Sequence, residues 1–186
     1  MHNPPLHPWA YTTSTGITLR GVETPLTGKP VVHFVHGTGF NGMVYWPMLR
    51  HLLPHVDLVI TNVQGHGESD TGEKFLGWEA NALMIHEALL HKRQQWPADV
   101  PVIGMGHSFG AIVTLLAANQ SPAVFDRLLL LDPIFLPPLL SVQTRGNLTR
   151  LAIVSLRLLS DRIDDAYAGA PPAEPTRDSP PPADPA

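Results

Sequence analysis

The chain has 186 residues and no cysteine, which excludes disulfides, thiolate-held metals and a cysteine nucleophile together. It also lacks an excess of basic charge. Its 12 Lys and Arg stand against 16 Asp and Glu, for a formal charge of -4, so the electrostatic footprint of a nucleic-acid binder is missing. No apolar run is long enough to span a bilayer: the greasiest, LLLLDPIFLPPLL at 128–140, is short and is broken by Asp132 and three prolines. The amino-terminal MHNPPLHPWAYTT has neither the basic flank nor the apolar core of a signal peptide. These absences lead to the expectation of a cytoplasmic protein with no nucleic-acid partner and no membrane span.

What remains is ordinary for a globular domain, with 44% hydrophobic and 15% charged residues, apart from 20 prolines. Residues 9–24 alternate loosely around Gly16, which predicts a hairpin of two outer strands. Short apolar runs at 30–37, 56–63, 100–106 and 125–135 predict buried strands. Residues 43–53 read as helical near their end, with Pro47 in the first turn or before it. A helix is predicted over 75–96, with Leu83, Glu87 and Leu90 on one face and Ala82, Ile85 and Leu89 close by, and another over 109–120. Strands alternating with helices argue for an α/β fold: a doubly wound, mostly parallel sheet covered on both faces. Residues 148–159 carry Leu148, Leu151, Ala152, Leu158 and Leu159 at helical spacing. They read either as a core helix or as a lid helix lining a cleft. The last stretch, 169–186, holds seven prolines and no large apolar residue; it cannot bury enough surface to offset its ordering entropy and is expected to be disordered.

Within this framework Gly106-His107-Ser108-Phe109-Gly110 fits G-x-S-x-G between a predicted strand and a predicted helix. The turn forces the serine into a strained backbone, and the positions two before and two after it must be small. The helix that follows points its first amides at a developing negative charge. A second segment, His36-Gly37-Thr38-Gly39, ends the 30–36 strand. His33 and His36 do not form a metal pair there, because three residues apart on a strand puts them on opposite faces. No metal or cofactor is called for.

Read together, these segments resemble the nucleophile elbow and the oxyanion loop of the α/β-hydrolase superfamily. QGHGESD at 64–70 resembles that family's Gly-His-Gly-x-Ser turn, with His66 as a structural turn histidine. Asn62 and Gln64 stand where the family usually has Asp and Arg, so a local salt bridge is not expected. Trp46, behind the oxyanion loop, also fits. The resemblance spans roughly residues 9–160. It implies Ser108 as the nucleophile, the Thr38 and Phe109 amides as the oxyanion hole, and an ester or similar small acyl compound as substrate. A serine at 108 sets the chain apart from the aspartate-using branches, the dehalogenases and epoxide hydrolases.

The same resemblance exposes a gap. The family runs Ser, then Asp or Glu, then His, yet the last of the ten histidines here is His107. At an elbow x-position its side chain is expected to point away from the hydroxyl. His86 and His91 fall on a helix that covers the sheet face, and His51 and His55 flank Pro54 at the surface. Asp132 is either the triad acid or a cap on the turn before Pro133. The family core has eight strands in the order 1-2-4-3-5-6-7-8, and six are predicted; the rest would need about 55–60 residues. The expectation is therefore a carboxy-terminally truncated hydrolase, lacking the last strands and helix and catalytically impaired, or else a non-catalytic fragment. An out-of-frame GC-rich tail or natural disorder would both account for 169–186. The implied division is a core over 1–135, the start of a lid over 136–168, and the tail. An open edge at the sixth strand predicts self-association.

Overall fold

The structure, a computed structural model, describes residues 4–121, 124–134 and the backbone of 151–154. All the described elements lie in the first of two compact units, Met1–Ser155. The expected lid beginning at 136 and the tail over 169–186 fall outside the described residues, apart from one short strand.

Among the described residues seven strands form a single sheet: β1 (His7–Thr12), β2 (Thr18–Glu23), β3 (Val31–Val35), β4 (Asp57–Asn62), β5 (Val102–His107), β6 (Arg127–Leu131) and β7 (Leu151–Val154), in the order β1-β2-β4-β3-β5-β6-β7. The hairpin β1–β2 is antiparallel and joins β4 antiparallel. From β4 to β7 every pairing is parallel. The α/β, mostly parallel architecture is as the sequence predicts. Two expectations need correction. Residues 151–154 are a strand, not part of a helix, and they pair with Leu128–Leu131; the sheet therefore has one strand more than the six predicted, and β6 is not an edge.

The helices follow from the parallel crossovers. A single α-turn, α1 (Trp46–Leu49), carries Pro47 in its first turn, where a missing N–H costs nothing. It is flanked by 3₁₀ turns at 42–45 and 50–52. Helices α2 (Trp78–Arg93) and α3 (Phe109–Gln120) pack on the opposite face. The face that α2 buries is Asn81, Ala82, Met84, Ile85, Ala88, Leu89 and Lys92. Of the residues grouped from the sequence, Ala82, Ile85 and Leu89 are buried, but Leu83 and Glu87 are only half-buried and Leu90 is exposed, so the buried face lies about half a turn from Leu83, Glu87 and Leu90.

Strand alternation sorts the core into two layers. Val31 and Val35 face α2 and α3 together with Val59, Val102, Leu128 and Leu130, while Val32, Phe34, Leu58, Ile60 and Met105 face α1. The chain leaves β3 toward β4 on one side and returns to β5 on the other. This is the point in an open parallel sheet where a crevice opens beyond the carboxyl ends of the strands. Both segments singled out by the sequence, 36–39 and 106–110, leave their strands there.

Candidate active site

Ser108 sits between β5 and α3 at φ 52 and ψ -117. Only it and Asp132 among the described non-glycine residues have positive φ. A conformation this sparsely populated costs on the order of 1–3 kcal/mol and persists only where its surroundings impose it. They do so here. Ser108 N donates to Leu131 O at 2.9 Å, tying the turn to the end of β6, while Ser108 O accepts from Ala111 N and Ile112 N and starts the helix. The flanking glycines are sterically required. A Cβ on Gly106 would lie 2.3 Å from Gly110 O, and one on Gly110 would lie 2.2 Å from Val35 O and 2.4 Å from His36 O. The first turn of α3 thus rests directly on the end of β3, beside the loop that carries Thr38.

That loop is stitched to the turn after β4 by two imidazoles. Val63 N donates to His36 Nε2 at 3.2 Å, so the ring's hydrogen is on Nδ1, which bonds Gly37 O at 2.8 Å. Burial pushes the His36 pKa down to about 4; the bond to Gly37 O opposes the shift and the nearby His66 adds to it. His66 repeats the pattern: Gly39 N donates to Nε2 at 3.1 Å, and Nδ1 bonds Gln64 O at 3.0 Å. The two rings lie 5.1 Å apart. His66 is therefore the turn histidine the sequence suggests, with a loop contact that the sequence did not reveal. His33 lies inside the sheet on Thr61 Oγ1, separate from His36 as expected. Among the described residues no group of three or more His, Asp or Glu could hold a metal.

Amides at the mouth of the crevice are available. Thr38 N has no acceptor among the described residues, and the first amide of a helix such as α3, at Phe109, has none within the helix. Trp46 begins α1 and packs on the layer beneath the loop. The missing salt bridge at 62 and 64 is replaced. Asn62 Oδ1 instead accepts from Gly42 N, and the buried Gln64 side chain bonds Thr71 O, Lys74 O and Leu76 N. An ion pair reaches the turn from β2: Arg20 Nη1 meets Asp70 Oδ1 at 2.6 Å and lowers the Asp70 pKa.

No described histidine bonds the Ser108 hydroxyl. His107 Nδ1 is paired with Tyr45 Oη at 2.7 Å, so it turns away as its elbow position predicts. His86 lies on α2, half-buried against the Ala117 backbone of α3, His91 stacks on Tyr11 at 4.9 Å, and His51 and His55 are exposed. Asp132, at φ 43, follows β6 directly after Leu131, whose carbonyl holds Ser108 N. Its carboxylate is half-buried, and the residues just beyond Ile134 that a turn cap would bond lie outside the described residues, so both readings of Asp132 stand.

A shallow cleft of about 430 Å³ adjoins the loop, lined by Gly39, Phe40, Val44 and His66 among others, with Phe40 and Val44 exposed. A larger cavity, about 610 Å³, opens beside the amino ends of β3 and β4, lined by Lys29, Arg50 and Asp57 among others. It lies at the wrong end of the strands for this chemistry.

Residues 34–185 match the Alpha/beta hydrolase family. Lipase LipV of Mycobacterium tuberculosis is 30% identical over 144 residues, covering 77% of this chain and 50% of that protein. Monoglyceride lipase of Mus musculus is 29% identical over 115 residues, 59% of this chain and 37% of the lipase. The chain thus spans half or less of the length of these relatives. The crystal structure of alpha/beta hydrolase GrgF from Penicillium sp. sh18 superposes with a TM-score of 0.62 at 20% identity, over 70% of this chain and 46% of that one, a likeness that speaks to the fold. With this match over most of the chain and the strand order in place, this protein belongs to the alpha/beta hydrolase family.

Proposed function

We propose that the chain carries the nucleophile and oxyanion hole of a serine hydrolase acting on an ester or similar acyl compound. Ser108 Oγ bonds the acyl carbon as its proton passes to a base; the Thr38 and Phe109 amides hold the negative oxygen; the alcohol leaves with a proton, and water then releases the acid. Asp132 is the acidic member that orients the base. The base itself is not among the described residues, so the rate of this chain alone is expected to be low. Without a base, the oxyanion hole and binding sustain only a small fraction of full catalysis.

The observation that carries this reading is the strained Ser108 between two glycines that cannot be enlarged. An incidental turn would have no need of either. Relatives named as lipases, and the apolar rim of Phe40 and Val44, support an acyl substrate.

A fluorophosphonate probe tests it. Slow labelling that disappears in Ser108→Ala is expected. Equal labelling of the variant would overturn the assignment of the nucleophile. Complete resistance of the unmodified chain would favour the second reading, a non-catalytic member that keeps the fold; the absence of any described imidazole on Ser108 favours that reading too.

A further inference from the structure

Four consecutive amides, from Gly37 to Phe40, line the loop leaving β3, and three of them are committed. Gly37 N donates to Tyr45 Oη at 3.3 Å, Gly39 N to His66 Nε2 at 3.1 Å, and Phe40 N to Gly37 O at 3.3 Å. Thr38 N is the one left without an acceptor among the described residues. The peptide joining Gly37 to Thr38 is also pinned. Its carbonyl oxygen accepts from both His36 Nδ1 and Phe40 N, and in a planar trans peptide the N–H then points the opposite way.

The two side-chain acceptors are themselves held firmly. Tyr45 Oη also bonds His107 Nδ1 at 2.7 Å, its ring lies 4.8 Å from Phe34, and burial raises its pKa, which keeps the phenol protonated. His66 is anchored through Nδ1 to Gln64 O at 3.0 Å. Space is tight as well: a Cβ on Gly37 would lie 2.8 Å from His107 Nδ1 and 3.3 Å from Tyr45 Oη. Tyr45 therefore couples the loop to the residue next to Ser108, and His66 couples it to the turn after β4.

We propose that Tyr45 and His66 are positioning residues: they occupy the amides on either side of Thr38, so that the Thr38 N–H alone is presented to a ligand oxyanion. The proposal rests on the reading of Thr38 N as an oxyanion donor. A loop with all four amides uncommitted would hydrate and fluctuate, and would lose the preorganisation on which such donors depend.

Amide hydrogen exchange, read by NMR on the full ¹⁵N-labelled chain, tests the geometry without any need for activity. Gly37 and Gly39 should be protected and Thr38 should exchange fastest. Tyr45→Phe should release Gly37 alone and His66→Phe should release Gly39 alone, while His66→Gln, whose amide oxygen can accept, should restore protection. Fluorophosphonate kinetics then test the role. In each Phe variant the maximal labelling rate of Ser108 should fall about tenfold, with the probe's half-saturating concentration within about twofold.

Gly37 and Gly39 exchanging as fast as Thr38 in the unmodified chain would overturn the proposal, and that result stands even if a variant fails to fold. Unchanged labelling rates in variants that do release their amides would overturn it as well. If the unmodified Ser108 does not label at all, the hydrolase reading fails, and the exchange pattern alone decides whether the loop is built as described.

Discussion

Ser108 holds its strained backbone because strand and helix meet there at less than the thickness of a methyl group. The obstacles facing Gly110 are the backbone oxygens Val35 O and His36 O, which cannot rotate out of the way as a side chain could. Gly110→Ala is therefore expected to cost about 2–4 kcal/mol. Gly28→Ala, at φ +87 with nothing within 4 Å, should cost only the backbone penalty of about 1 kcal/mol. Urea unfolding of the two variants measures the difference, and equal losses would show that the close approach at Gly110 is not what fixes the elbow. This steric demand is also why the elbow could be read from sequence: it appears as two glycines at fixed offsets from one serine. The partners that hold the loop after β3 leave no such mark. Gly37 is eight residues from Tyr45 and Gly39 is 27 from His66, and neither spacing belongs to a local pattern.

Among the elements, α3 was legible because the elbow gives it a sharp start, and its described span, 109–120, is the predicted one. The face of α2 was legible only in part, through Ala82, Ile85 and Leu89, because two of its buried residues are polar and owe their burial to partners elsewhere in the chain. Asn81 Oδ1 accepts from Gln64 N, and Lys92 Nζ meets Glu23 Oε2 at 2.6 Å while lying 5.6 Å over the Trp9 ring. Counting apolar residues passes over both. The strand β7 was missed for a related reason: a short apolar run fits either period, and only pairing with β6 decides it. The Lys92 pair carries a prediction at this scale. Glu23→Ala strands a buried ammonium on the inner face of α2 and is expected to destabilise by about 2–4 kcal/mol, whereas Glu23→Leu combined with Lys92→Met should recover most of that loss. A thermal denaturation series checks it. A single variant as stable as the parent would mean that the ion pair does not hold α2 to the hairpin.

In the whole molecule, two unequal layers cover the sheet. Toward α2 and α3 the residues Val102, Leu128 and Leu130 are fully buried, while toward α1 Ile103, Leu129 and Leu131 are only half-buried. The strand order and this layering were legible because strands buried on both faces read as continuous apolar runs. The positions of the imidazoles were legible, with His33 and His36 in a predicted buried strand and His51 and His55 at the surface, but the partners of the buried pair, Thr61 and Gly37, were not. Burial is the physical difference, and it sets the response of the entire fold to acid. His33 and His36 both have their pKa values pushed down to about 4, chiefly by loss of solvent, from an ordinary value of 6.5. The unfolded chain therefore binds more protons than the native one between these limits. Their contribution to stability is complete above about pH 6.5 and is lost progressively as the pH falls toward 4, by at most about 3 kcal/mol per residue. Against a typical total of about 5–15 kcal/mol, that is enough to unfold a marginal domain. The Arg20-held Asp70 has its pKa lowered from an already acidic value, so its contribution falls away only below this window and does not blur it. Urea midpoints should drop steeply between pH 7 and pH 4.5, with His86, whose pKa burial also lowers, adding to the effect, and His33→Gln should remove a clear part of the slope. A midpoint that stays level over this interval would show that neither imidazole is kept neutral by the fold, and with it the stitched loop at His36 would lose its physical basis.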